Sequence, residues 1–290
     1  MYVDKEFADK MSVIIPQEVI VEANCQMLLP VYLALYMMDE TNVDPVYRHK
    51  ITVTQLSLAT RVFNTQIRTA NCTVVTNAVQ WLVNKNYIAV SGELERGSSK
   101  FSFTFIDSPS NTAKKNSAKN RGQFVILTVG ELEALFDKLH KFDKQWRYIE
   151  GAMRVYMYFR LKQFAWQYNK RRKNLPVWAG YIGVAAGELC VSRPTMTMYI
   201  KDLHANDVIL PVYGSYKSTG DFVPQTIIVF KLCCKESEIR ESLNICQSVL
   251  REEYPHAVWY PAARNIVGDG TEQLDSTTTN ETALDIECAE

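Results

Sequence analysis

Several signatures of chemistry are missing from this 290-residue chain. There is no GxxxxGK[ST] loop to cradle a triphosphate, which excludes the common ATP motor. The four histidines, His49, His140, His204 and His256, lie far apart and form no HxH or HExxH pair, so no metal-dependent nuclease or protease motif is present. GxSxG is absent as well. The seven cysteines are an odd number without CxxC spacing, which argues against a disulfide framework and a zinc site and leaves reduced thiols as the default. No run of about eighteen apolar residues occurs, and the start MYVDKEFADK lacks the basic-then-apolar order of a secretion signal. The expectation is a cytoplasmic protein without a membrane span or cofactor, acting by binding rather than as an enzyme.

Net charge is also lacking, at zero for the whole chain, but its distribution is uneven. Residues 268–290 hold seven acids and no Lys or Arg, so residues 1–267 carry 25 acids against 32 bases, a net +7. A basic body with an acidic end suits a nucleic-acid partner better than the overall figure does. Hydrophobic residues make up 47% of the chain, enough to bury two modest cores.

The most informative segment present is SRPTMTMYIKDLHANDVI, from Ser192 to Ile209. Ser192 is a good N-cap, and Pro194 falls in the first turn, where its missing N–H costs nothing. Met196, Ile200 and Leu203 make one buried stripe, leaving Thr195, Thr197, Met198 and Lys201 around the rest. This small, polar surface suits a helix lying in a DNA major groove, which needs short hydrogen-bonding groups and a cation.

The same grammar occurs about 120 residues earlier. Ile51 to Arg61 reads as a first helix with Leu56 and Ala59 inward, and a second runs from about Thr69 to Lys85. Val75, Ala78, Val79 and Leu82 form its core stripe with Trp81 beside it, while Thr73, Thr76, Asn77 and Gln80 face the other way. Asn and Gln amides can pair with adenine in two-bond fashion, so this is a candidate reading face. Arg68 and Asn71 flank it.

A hairpin follows each helix pair. YIAVSGELERGSSKFSFTFI has its tip at Gly92 to Lys100, with cations Arg96 and Lys100. VILPVYGSYKSTGDFVPQTIIVF has its tip at Gly214 to Asp221, with Lys217. A helix pair followed by a hairpin is the winged-helix plan, and such wings reach the DNA backbone or minor groove. The expected fold class is mainly α with small β-hairpin wings, α+β, as two winged helix-turn-helix domains in tandem.

The remaining segments complete the organisation. Residues 1–28 are an apolar lead-in, 29–106 a first domain opening on a helix with Leu29, Tyr32, Leu33 and Tyr36 inward, and 107–122 a Ser/Asn/Lys-rich linker. The second domain, 123–254, opens with a strand at Phe124 to Leu127 and a helix. A long aromatic helix then runs from about Trp146 to Lys170, ending in Lys170, Arg171, Arg172 and Lys173. That cluster is either a solvated helix end or a set of phosphate contacts. Lys235 to Tyr254 is a helix with Ile239, Leu243, Cys246 and Leu250 on one stripe, either capping the second domain or forming a homodimer contact. Residues 255–290 break regular structure and end in the acidic, Thr-rich tail, which is expected to be disordered.

With TANCTVVTNAVQWLVNKNYI and AAGELCVSRPTMTMYIKDLHANDVI in view, the chain resembles the tandem winged-helix DNA-binding proteins of bacterial plasmids, phages and integrative elements, many of them replication initiators. The resemblance implies reading residues at Asn71, Thr73, Asn77 and Gln80 and at Arg193, Thr195, Thr197 and Lys201. It also implies a double-stranded DNA site of origin type and partners such as a helicase loader or primase. Lacking the HxH of rolling-circle nickases, an initiator of this kind would act by melting or recruitment and not by strand cleavage. The alternatives are a transcriptional regulator of a mobile element, and a protein-interaction module built on winged helices.

Overall fold

A computed structural model describes residues 12–40, 51–60, 72–94, 99–106, 124–142, 144–163, 165–168, 171–218, 221–254, 256 and 258–260. The first half runs β1 (Ser12–Pro16), α1 (Gln17–Val21), α2 (Leu28–Glu40), β2 (Ile51–Thr52), α3 (Val53–Thr60), α4 (Cys72–Asn84), β3 (Ile88–Gly92) and β4 (Lys100–Phe105). The second runs β5 (Phe124–Thr128), α5 (Val129–Leu139), α6 (Trp146–Leu161), β6 (Ala165–Tyr168), β7 (Arg171–Asn174), β8 (Val177–Gly180), α7 (Ile182–Glu188), α8 (Arg193–Ala205), β9 (Ile209–Ser218) and β10 (Asp221–Phe230). Two further elements, α9 (Glu236–Glu253) and β11 (Val258–Tyr260), close the described chain. This is an α+β arrangement of helices with small antiparallel sheets.

Apart from the β6–β7 hairpin, the two halves repeat one order: strand, two helices, strand, two helices, two strands. Sheet pairing repeats as well. In the first half the order is β2-β4-β3, and in the second β8-β10-β9 with β11 added at the edge, so the strand before each helix pair joins the second strand of the hairpin after it.

The two halves are stitched together by their opening strands. β1 and β5 pair antiparallel about the Ile14↔Ile126 couple, which relates equivalent strands by a local two-fold axis. Alternation puts Val13, Ile15, Val125 and Leu127 inside and leaves Ile126 exposed. The 1–28 segment is therefore more than a lead-in, since β1 and α1 belong to the packed body. Arg154 of α6 fastens α1 further, donating from Nε to the Ile20 carbonyl at 2.8 Å and from Nη2 to the Val21 carbonyl at 3.0 Å. One hydrophobic core runs through both halves, from Val13 to Phe230, and α2 is buried without a break from Leu28 to Tyr36.

Helix α6 is the hub of the second half. It binds α5 through a buried cluster in which Glu131 accepts from Tyr156 Oη at 2.5 Å and, on both oxygens, from Arg160 at 2.9 and 3.1 Å. It holds α8 through Tyr148, whose hydroxyl donates to Asp202 at 2.6 Å and whose ring lies 4.8 Å from that of Tyr199. Gly151 allows this approach, because a methyl there would run into the Tyr199 ring and hydroxyl. The β8–β10 sheet buries both faces by alternation: Trp178, Ile228 and Phe230 join the main core, while Val177, Ile227 and Val229 pack with Ile239, Cys246 and Leu250 of α9.

Four expectations need correction. The long aromatic helix stops at Leu161 instead of continuing to Lys170. Lys162 leaves the helical conformation, the Gln163 side chain takes a bond from Arg160 and donates to the Leu175 carbonyl, and the chain turns into β6. There Trp166 and Tyr168 alternate as strand residues and pair with Lys173 and Arg171, so Arg171, Arg172 and Lys173 lie on a strand and not at a helix end. The helix expected from Ile51 begins at Val53, because Ile51 and Thr52 pair with Phe101 and Lys100 and Thr52 caps the helix. Thr52 Oγ1 accepts the Gln55 N–H at 3.0 Å and Gln55 Oε1 accepts the Thr52 N–H at 2.9 Å, a reciprocal capping box. The second hairpin stays paired out to Ser218 and Asp221, and Gly214 lies inside β9 between Gln225 and Trp259 instead of at a tip. The other neighbour of β9 is β11, Val258–Tyr260, within a stretch expected to lack regular structure.

Candidate nucleic-acid interface

Helices α4 and α8 are the two candidate reading elements, and they are built alike. Each is thirteen residues long, and positions 121 apart correspond. Val75, Ala78, Val79 and Leu82 are buried in α4 as Met196, Tyr199, Ile200 and Leu203 are in α8. Thr76 donates its hydroxyl to the Cys72 carbonyl at 2.9 Å, and its counterpart Thr197 donates to the Arg193 carbonyl at 3.0 Å. Both helices end in the same way. Asn86 and Asp207 take positive φ and donate to the carbonyls of Val83 and His204, while Tyr87 and Val208 donate back to Leu82 and Leu203, the double bond of a Schellman cap. Each cap delivers the chain into a hairpin.

The solvent faces also correspond. Thr73, Asn77, Gln80 and Asn84 are exposed on α4, and Pro194, Met198, Lys201 and Ala205 at the matching positions on α8. Their chemistry differs: the first face is hydroxyl and amide, the second a thioether and a cation between small groups. Met198 is 51% exposed, one of six exposed large apolar side chains among the described residues. At the start of α8, Ser192 Oγ accepts the Thr195 N–H at 3.2 Å, and the two hydroxyls lie 2.7 Å apart. Arg193 is exposed, with its guanidinium 5.3 Å from the centre of the Tyr181 ring.

The other sequence candidates fall as follows. Thr76, Thr195 and Thr197 are half-buried and bonded within their own helices, so they shape the faces more than they project from them. Lys100 is exposed at the start of β4. Lys217 lies in β9 opposite Phe222, close to the hairpin turn. Arg171, Arg172 and Lys173 form most of β7. Arg68, Asn71, Arg96 and Lys170 lie outside the described residues, as do the 107–122 segment and the acidic tail.

Part of the first face borders an open cleft of about 480 Å³ between α4 and the loop joining α1 to α2. Val74, Asn77, Gln80, Trp81 and Asn84 line one wall, and Glu22, Asn24, Cys25 and Gln26 the other. Trp81 is fixed there by its stack on Tyr87, ring centres 6.0 Å apart and planes 10° apart. Asn84 was missed, although its spacing after Asn77 and Gln80 continues their face. The opposite wall was not legible, because only tertiary packing brings residues 22–26 to α4. Burial raises the Cys25 thiol to about 11, with Glu22 and Glu150 adding to the effect, which makes it a poor nucleophile.

Among the described residues no helix is long and apolar enough to cross a membrane. No family model matches the chain, and neither does any curated protein or solved structure.

Proposed function

We propose that the chain is a sequence-specific double-stranded DNA-binding protein made of two winged-helix units, acting at an origin-type site in the manner of a replication initiator. The observation that carries this reading is the duplication itself. Two helix pairs, each running through the same cap into a hairpin, keep a helix face in solvent at corresponding positions. Helices α3 and α7 act as supports, α4 and α8 enter the major groove, and the hairpins bring Lys100 and Lys217 to the backbone.

The two heads read different sequences. Thr73 and the start of α4 offer short polar groups, whereas α8 offers Met198 for a thymine methyl and Lys201 and Arg193 for guanine or phosphate oxygens. Tethering the heads in one chain raises the effective concentration of the second once the first is bound, so either alone need bind only weakly. A helicase loader or primase is the partner class such a protein would recruit, and the reading assigns no catalytic step to the chain.

Duplex binding measured against salt tests the proposal. The logarithm of the association constant should fall linearly with the logarithm of salt concentration, with a slope of about −0.9 per neutralised phosphate. Binding that is absent at low salt, or indifferent to salt, contradicts it.

A further inference from the structure

The turn that leads from β10 into α9, Lys231 to Cys234, holds two adjacent thiols outside the candidate interface. Cys233 Sγ and Cys234 Sγ lie 3.5 Å apart, within hydrogen-bond distance for sulfur. Cys233 is exposed and Cys234 half-buried, so the pair meets solvent from the Cys233 side. When protonated, Cys233 Sγ also donates to the Phe230 carbonyl at 3.8 Å. Arg160 stands on the protein side, its guanidinium 5.2 Å from the centre of the Phe230 ring. The two sulfurs are unlike. The bond from Cys234 and the Arg160 charge pull the Cys233 thiol below its ordinary range, against burial and the Glu131 charge. The same bond, burial and the charges of Cys233 and Glu238 hold the Cys234 thiol well above it. Burial pushes Cys246, in the core beneath α9, up to about 12. Because the thiolate is the nucleophile, Cys233 is the attacking sulfur and Cys234 the resolving one.

We propose that Cys233 and Cys234 form a thiol–disulfide exchange site for low-molecular-weight disulfides, closing to a disulfide between adjacent residues. The Cys233 thiolate attacks one sulfur of the disulfide RSSR, forming Cys233–S–S–R and expelling RS⁻. Cys234 then gives up its proton, and its sulfur displaces the second RS⁻ from Cys233. The protons of both cysteines end on the released thiols, so two protein thiols are oxidised and one RSSR is reduced to two RSH. Adjacent Cα atoms stand about 3.8 Å apart across a trans peptide, short of the roughly 4.4–6.8 Å that disulfides usually span. The closed form is therefore strained and easily reduced, so the pair stays open in a reducing pool and closes as the pool is oxidised. Closure also removes the S–H that bonds the Phe230 carbonyl and twists a turn whose two ends are fixed. The Lys231 N–H bonds the Val208 carbonyl at 3.1 Å beside the Asp207 corner of α8, and the Lys235 N–H bonds Glu238 at 2.9 Å at the start of α9. Neither the exchange nor its effect on the turn draws on the duplex-binding reading.

The full chain should be incubated with glutathione disulfide, its remaining thiols alkylated, and the product cut with trypsin. Lys231 and Lys235 flank the pair, so cleavage releases Leu232–Lys235 with no other cysteine in it. Expected is a peptide that has lost two hydrogens, takes up no alkyl group, and regains both thiols in dithiothreitol. Cys234→Ser should stop at the glutathione adduct on Cys233, and Cys233→Ser should slow the reaction about tenfold or more. Hydrogen exchange at the Lys231 and Lys235 amides should rise in the oxidised chain. A fully alkylated peptide under conditions that modify the exposed Cys190 overturns the proposal. So does a glutathione adduct that never closes in the wild type, or equal reaction rates for the two serine variants. Closure with unchanged amide exchange upholds the exchange site and overturns its hold on the α8 corner and α9.

Discussion

Asn86 and Asp207, 121 positions apart, hold the same left-handed backbone, with φ of 58° and 61°. Each closes a thirteen-residue helix and starts a strand, and Asn and Asp are the side-chain-bearing residues that tolerate this region best. The equivalence marks the two helix-to-hairpin corners as copies of one design. Asn86→Val should destabilise the protein by about 1–2 kcal/mol, because a β-branched side chain fits this conformation poorly. Asn86→Gly should be neutral or stabilising. Denaturant unfolding of both variants checks the pair, and equal stability would show that the corner relaxes freely.

The buried Glu131 carboxylate is held by Tyr156 and by two bonds from Arg160. Arg160→Met removes the cation and leaves the acid buried, so a loss of about 3–5 kcal/mol is expected. Adding Glu131→Leu should recover much of that loss. A double variant worse than the sum of the singles would mean that the cluster contributes something other than charge pairing.

Glu150 titrates in the seam where α6 meets the 22–27 loop and α8. Burial pushes its carboxyl up to about 7, while the Met27 backbone, Arg154 and Arg147 offset only part of the shift. Cys25 and Tyr199 face it from the neighbouring elements. The folded state thus holds this proton more tightly than the unfolded one, so its contribution is fully present below the unfolded carboxylate pKa and is lost as pH rises to about 7. Between those limits the site should lower stability by up to about 1.4 kcal/mol per pH unit. Glu150→Gln should flatten that part of the stability curve; an unchanged slope between pH 5 and 7 would count against the assignment.

Cations in the hairpins and on α8 should separate by their effect on selectivity. Arg171→Ala with Arg172→Ala is expected to weaken all duplexes alike and to reduce the salt slope by about 0.9 for each phosphate no longer neutralised. Lys201→Ala should weaken a preferred duplex by about 1–3 kcal/mol more than an unrelated one. Binding curves for the two duplexes at several salt concentrations decide; uniform weakening by Lys201→Ala would move that residue from base reading to the phosphate backbone.

Much of this architecture was legible in the residues. The stripes of α4 and α8, the Ser192 cap and the stripe of α9 follow from spacing, because periodic burial writes itself into sequence, whereas α2 is buried all round, beyond the Leu29, Tyr32, Leu33 and Tyr36 stripe that its spacing suggests. The turn of Trp166 and Tyr168 into a strand was hidden because aromatic residues serve helices and strands alike, and the deciding interactions, Gln163 to Leu175 and the pairing with β7, join separate segments. The β1–β5 pairing and the cleft beside α4 were hidden for the same reason. Asn77 and Gln80 were found as exposed amides, yet their spacing could not show a loop from residues 22–26 standing opposite them.

Selection of bound sequences from a pool of random duplexes, by the wild-type chain and by Thr73→Ala and Lys201→Ala, tests the central claim most directly. The wild type should enrich one bipartite sequence with unlike half-sites; Thr73→Ala should relax one half and Lys201→Ala the other. No enrichment by the wild type, or identical enrichment by all three, would contradict reading by α4 and α8.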